Sequence, residues 1–181
     1  EVDATGTISE TGTSISTMLT YINKWPHIKW MLTVMNHGTA SIFTALRNNT
    51  DGAKDTFLTE LVRIMEKYPW CAGVDIDLER GGEIENRDAA NALFRDIYNA
   101  VKAYDSSKLV NICLPGMTSV NGSVGGENWC VYADLDAYCD SVSIMSYGMA
   151  WAGSAPGPVS PRDWLEGIYD YASSVMDLSL I

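Results

Sequence analysis

Asp75, Asp77 and Glu79 occupy alternate positions in the stretch CAGVDIDLERGG, with Val74, Ile76 and Leu78 between them. Side chains along a strand point alternately to its two faces. This spacing therefore puts three carboxyls on one face and three aliphatic groups on the other. Ionised carboxylates crowded together repel one another and resist desolvation, which raises the pKa of at least one. A carboxyl that keeps its proton near neutral pH is what a general acid needs. Two other readings fit the same spacing: a solvated edge strand, or oxygen ligands for a magnesium or calcium ion. The aliphatic partners argue against the first, and no further ligands are evident for the second.

The elements that must position these acids alternate along the chain. Helical spacing is read over residues 14–25 (Ile15, Met18, Leu19, Ile22), 54–68 (Phe57, Leu58, Leu61, Ile64, Met65, Tyr68) and 87–104 (Leu93, Phe94, Ile97, Val101). A short helix is expected around 129–137. A last helix opens at Ser160 as cap with Pro161 in its first turn and runs through Trp164, Ile168, Tyr171 and Val175. Apolar strands are expected at 28–35, 72–79, 109–114 (stopped by Pro115-Gly116) and 141–147. Strands separated by helices imply βαβ units and a parallel sheet, and nearly continuous apolar runs imply cover on both faces. No G-x-G-x-x-G follows a strand, which disfavours a dinucleotide-binding fold. A (β/α)8 barrel needs eight strands and typically about 250 residues, so the expected fold is α/β, an incomplete (β/α)8 TIM barrel. In such a barrel the acids point inward and climb toward the carboxyl end of the strand, where active sites of this fold lie.

With 181 residues and a net charge of −11, the chain can build a sizeable core but is repelled by polyanions, so neither nucleic acid nor an anionic membrane is an expected partner. No apolar run approaches the roughly 20 residues that span a bilayer. The four cysteines, Cys71, Cys113, Cys130 and Cys139, form no C-x-x-C pair, and with only two histidines a zinc site is disfavoured. No metal or cofactor is expected. Cys71 and Cys113 read as buried free thiols, while Cys130 and Cys139 are open to a disulfide if the protein is secreted. Asn48-Asn49-Thr50 and Asn121-Gly122-Ser123 match the glycosylation acceptor pattern, which is common by chance. His37 reads as a structural histidine, and Glu83 with Glu85 as a solvated loop.

GVDIDLE resembles the strand-four signature D-G-x-D-x-D-x-E of glycoside hydrolase family 18, the chitinase-like hydrolases, at Gly73, Asp75, Asp77 and Glu79; Ala72 stands where the family usually has its first Asp. SIMSYGMAWAGSAPGPVSP resembles the strand-six M-x-Y-D motif and the Pro-rich loop of bacterial cell-wall members, through Met145 and Tyr147, with Gly148 in place of the usual acid. VDATGTIS is similar to the tail of the second strand unit, IKWMLTV to strand three and LVNICLPG to strand five. The resemblance implies that residues 1–181 are one family 18-like catalytic domain without its first strand unit and last two. It implies substrate-assisted, retaining hydrolysis of β-1,4-linked N-acetylglucosamine glycans, peptidoglycan or chitin, which the substrate's own acetamido oxygen attacks as nucleophile. Glu79 is then the general acid and base, Asp77 holds the acetamido N–H, Asp75 tunes Asp77, and Tyr147 binds the acetamido carbonyl. Met145 and Trp151 contact substrate, Trp151 by stacking on a sugar ring. The partner is an N-acetylglucosamine-containing polysaccharide, the location extracellular or cell-wall associated, and open sheet edges favour self-association. The alternatives are a non-catalytic, lectin-like sugar binder on the same fold and an inactive fragment.

Overall fold

The computed structural model describes residues 1–10, 15–82, 84–122 and 127–181, with the side chains of residues 15 and 16 set aside. Ser14, Glu83, Ser123 and the side chain of Ile15, named above, lie outside the described residues. The elements in order are α1 (Ile15–Lys24), β1 (Met31–Met35), α2 (Ala40–Arg47), α3 (Ala53–Lys67), β2 (Gly73–Asp77), α4 (Arg87–Tyr104), β3 (Leu109–Pro115), α5 (Tyr132–Leu135), β4 (Ser141–Met145) and α6 (Arg162–Val175). The four strands form one parallel sheet in the order β1-β2-β3-β4. Each strand lies beside its predecessor, which is the order of consecutive barrel strands; a doubly wound sheet reverses direction at a switch point.

The register puts like residues in rows. On one face Leu32, Val74 and Val110 are level, then Val34, Ile76, Ile112 and Val142, then Leu114 and Ile144. This face carries the core: Val74, Ile76, Leu78, Val110, Ile112 and Leu114 are fully buried with Phe57, Leu61 and Met65 of α3 and Leu93, Phe94, Ile97 and Val101 of α4. Each such side chain contributes roughly 1.5–3 kcal/mol by leaving water. The other face is not apolar. Thr33, Asp75, Asn111 and Ser141 form its central row, with Cys113 beside Ser143. The expectation of cover on both faces is therefore corrected: helices cover one, and the inner face is polar.

Several boundaries differ from the sequence reading. Helix α2 was not expected; its short apolar set, Phe43, Ala45 and Leu46, follows a Gly-Thr turn that masked the periodicity. The strands at 28–35, 72–79 and 141–147 are shorter at their ends, and β3 includes Pro115. Pro115 still stands opposite Met145, a register that does not call on its missing N–H, and its carbonyl accepts from the Tyr132 hydroxyl. Pro161 is the residue preceding the first turn of α6, and Ser160 does not cap it: its hydroxyl donates to the Ser146 carbonyl at 2.7 Å. Of the helix expected at 129–137 only α5 and a following 3-10 turn form. Cys71, Cys113, Cys130 and Cys139 are all free thiols, so Cys130 and Cys139 form no disulfide. Among the described residues β1 and β4 each have one strand neighbour. At β1 the Val2 amide also donates to the Met35 carbonyl at 2.9 Å.

Candidate active site

Asp75 sits at the base of the acid row and accepts from three donors. It accepts from Thr33 Oγ1 at 2.8 Å, Asn111 Nδ2 at 2.7 Å and Cys113 Sγ at 3.4 Å. Asn111 also donates to Ser143 Oγ and accepts from Ser141 Oγ, so the network crosses all four strands. The cost of placing a carboxylate in the sheet interior is offset by these bonds. Cys113 stays a thiol, because burial and then the charges of Asp75 and Asp77 push its pKa far up.

Asp77, one step higher, is half-buried and differently treated. Its Oδ1 is buried with no hydrogen-bond partner among the described residues. Burial, then Glu79 and Asp75, push its carboxyl above the usual carboxylate range, and His37 opposes them. An orphan buried acceptor is ready for a ligand N–H or a proton. Glu79 lies beyond the end of β2, where its carboxyl opens into a cleft of about 410 Å³. The turn that follows is held close over an aromatic cluster of Phe43, Phe94 and Trp129, whose rings lie 5.1–6.1 Å apart. A Cβ at Gly81 would stand 2.4 Å from Trp129 Cγ and 2.5 Å from Phe43 Cε1, so only glycine lets the chain pass there.

The opposite wall comes from β4 and the loop after it. Met145 ends the strand and Tyr147 lies two residues beyond it; both line the cleft with Glu79. Tyr147 is 62% exposed. Burial of its remainder, then the charges of Asp77 and Glu79, push its phenol pKa up and keep its hydroxyl a donor. Trp151, 68% exposed, lies in the same wall, its amide held by Ser154 Oγ at 2.9 Å. Gly148 has φ +88, a conformation that an acid at this position would adopt only with strain, and its surroundings are open. Ala72 sits before the first residue of β2, at the end of the strand away from Glu79, so its departure from the motif does not touch the cleft.

The structure thus brings Glu79, Met145, Tyr147 and Trp151 together around one cleft, with Asp77 and Asp75 in descending order beneath the acid. The sequence reading missed Arg80, Glu127, Trp129 and Trp164, which line it too. Glu127 Oε2 is buried without a partner among the described residues, and burial raises its pKa against the opposing Arg80 guanidinium. No local pattern announces Glu127, which arrives on the loop after β3. Trp129 and Trp164 were legible only as members of helical patterns. His37, read as a structural histidine, is 58% exposed and its Nε2 meets Glu1 Oε1 at 2.6 Å. Among the described residues no three His, Cys, Asp or Glu groups gather in a way that could hold a metal ion.

The fold has many solved counterparts. A chitinase from Chromobacterium violaceum superposes with a TM-score of 0.86 at 21% identity, over 99% of this chain and 56% of its own. A class V chitinase from Pseudomonas fluorescens gives 0.85 at 24%, over 99% and 56%. The spore cortex-lytic enzyme SleL of Bacillus cereus gives 0.80 at 22%, over 97% and 40%. The chain spans about half the length of these structures or less, and at such identities the likeness is one of fold. No curated protein sequence matches the chain. The sequence itself matches the family described as "Glycosyl hydrolases family 18" over residues 3–173, and with the parallel sheet, the acid row and the cleft above it, the chain belongs to that family.

Proposed function

We propose that this domain hydrolyses β-1,4-linked N-acetylglucosamine glycans with retention, using the substrate's acetamido group as nucleophile. The observation that carries this reading is the contrast along β2 and just past its end: Asp75 held by three donors, Asp77 with a buried oxygen unpartnered among the described residues, Glu79 open to the cleft. Glu79 protonates the glycosidic oxygen. The acetamido oxygen attacks the anomeric carbon as that bond breaks, closing an oxazolinium ring. Asp77 accepts the acetamido N–H and stabilises the positive charge that develops there. Tyr147 donates to the acetamido carbonyl and holds it in line, a proximity effect. Glu79, now ionised, then takes a proton from water as the water opens the ring. Asp75 tunes Asp77 from below, its charge adding to the burial and the Glu79 charge that raise the Asp77 pKa. Trp151 and Met145 form the sugar-contacting wall.

SleL, named a spore cortex-lytic enzyme, together with the Pro-rich loop after Tyr147, supports peptidoglycan over chitin as substrate, and a cell-wall or extracellular location. No helix among the described residues is long and apolar enough to cross a membrane. We also propose that residues 1–181 are part of one catalytic domain, a first and two last strand units completing the barrel. Pairing through the open edge of β4 would show as concentration-dependent sedimentation.

Glu79→Gln keeps shape and hydrogen bonding but removes the transferable proton. It should lower turnover of a chromogenic N-acetylglucosamine oligomer by at least about 10²–10⁴-fold, since the residue serves both steps, with calorimetric binding intact. Undiminished cleavage in the variant would mean that the acid lies elsewhere. Wild-type protein that binds the oligomer without cleaving it would favour the lectin-like reading.

A further inference from the structure

The pairing of β1 with β2 ends at Met35 opposite Asp77. Glu79 lies two residues further on, where no strand ladder holds it. Its N–H nevertheless donates to Asn36 Oδ1 at 3.0 Å, and its carbonyl accepts from Asn36 Nδ2 at 2.9 Å. A side-chain carboxamide offers the same donor and acceptor as a peptide unit, so Asn36 replaces the missing strand partner. The same two atoms also fix the turn that Asn36 opens. Nδ2 donates to the Thr39 carbonyl at 3.1 Å, and Oδ1 accepts from the Gly38 amide at 3.2 Å. Asn36 is 1% exposed, and these four bonds use both amide hydrogens and both lone pairs. Gly38, inside that turn, lies against the acid: a Cβ there would stand 3.2 Å from Glu79 Oε2. One side chain therefore sets both the backbone that carries Glu79 and the turn that walls its carboxyl.

We propose that Asn36 is a positioning residue for Glu79, aiming its carboxyl at the scissile oxygen without touching substrate. The proposal rests on the glycosidase reading above. Its chemistry is specific to asparagine. Aspartate keeps the acceptor but, when ionised, loses the donor to the Glu79 carbonyl and adds a negative charge beside the acid. When protonated, it regains an O–H donor. Alanine loses everything.

The test pairs amide hydrogen exchange at Glu79, read by NMR, with kcat and KM on a chromogenic N-acetylglucosamine oligomer across pH. In Asn36→Ala, Glu79 should lose its exchange protection. Its kcat should fall roughly 10–10²-fold, the effect expected of a misplacement near 1 Å. KM should stay within about threefold, because uniform binding is untouched. Asn36→Asp should recover kcat and Glu79 protection as pH falls through the pKa of the introduced carboxyl, an acid limb absent from the wild type. Should the alanine variant fail to fold, the aspartate variant at acid pH carries the test. Unchanged Glu79 exchange in a folded Asn36→Ala overturns the clamp. A loss confined to KM, or an Asn36→Asp pH profile that tracks the wild type, overturns the positioning role. A wild-type protein that cleaves no oligomer overturns the glycosidase reading and the catalytic half of the proposal, and the exchange result alone then decides whether Asn36 holds Glu79.

Discussion

The two faces of β2 are made from interleaved residues and are stabilised in opposite ways. Val74, Ile76 and Leu78 are fully buried among α3, α4 and the neighbouring strands. Asp75, Asp77 and Glu79, between them, become less satisfied with each step toward the cleft. Asp75 has donors from two neighbouring strands, Asp77 has a buried oxygen with no partner among the described residues, and Glu79 faces open space. The packed face supplies rigidity that the polar face does not have, and the polar face keeps unmet hydrogen-bonding capacity for a ligand. Such a division is expected where a site costs stability and the surrounding core compensates.

The largest effect should come from breaking the packed face. Ile76→Ala should cost about 2–5 kcal/mol in denaturant unfolding, because the site is enclosed and cannot collapse around the cavity. A cost below about 1 kcal/mol would show that the core under the acids is loose and that the two faces do not differ as described.

Asp77→Asn sharpens the comparison from the other face. The folded pKa of Asp77 is raised, chiefly by burial and then by Glu79 and Asp75. The native state therefore holds the proton more tightly than the unfolded chain does. The stability linked to this group is present below the ordinary carboxylate pKa and is lost as pH rises through the raised value. Asparagine cannot ionise, so the variant should melt above the wild type at neutral pH, and the gap should close on acidification below the ordinary carboxylate range. Hydrolysis should fall in the same variant. A Tm difference that does not vary with pH would remove the argument that Asp77 is held under strain.

Trp151→Ala should have the smallest effect. Its side chain is largely exposed, so unfolding should change by no more than about 0.5 kcal/mol. Loss of one aromatic stacking face is worth about 0.5–1.5 kcal/mol, and oligomer affinity by calorimetry should therefore weaken roughly two- to tenfold. Affinity that does not change would return Trp151 to a loop-packing role.

Much of this was legible because it is local. Period-two alternation over 74–79 is a property of consecutive residues, so the three acids could be assigned to one face from their spacing alone. The long helical patterns of α3 and α4, and the alternation of helices with strands that marks a parallel sheet, were legible for the same reason. Elements whose signals are short or blurred were not: α2 was missed, and the strand ends were overrun because apolar residues continue past the last ladder bond.

What only the tertiary structure decided depends on residues far apart in the chain. Thr33 and Asn111 come level with Asp75 through strand register, which no spacing within one segment specifies. Asn36 reaches Glu79 across 43 positions, and Glu127 enters the cleft from the loop after β3. The inner face is polar, and its side chains are satisfied by bonds across strands, from Thr33 to Asp75 to Asn111 to Ser141. Which carboxyl is satisfied and which is left waiting is set by those distant donors. The sequence by itself determined that three acids share a face, since side-chain direction is a local property of the backbone; their different protonation and reach follow from desolvation and partners, which exist only once the chain has folded.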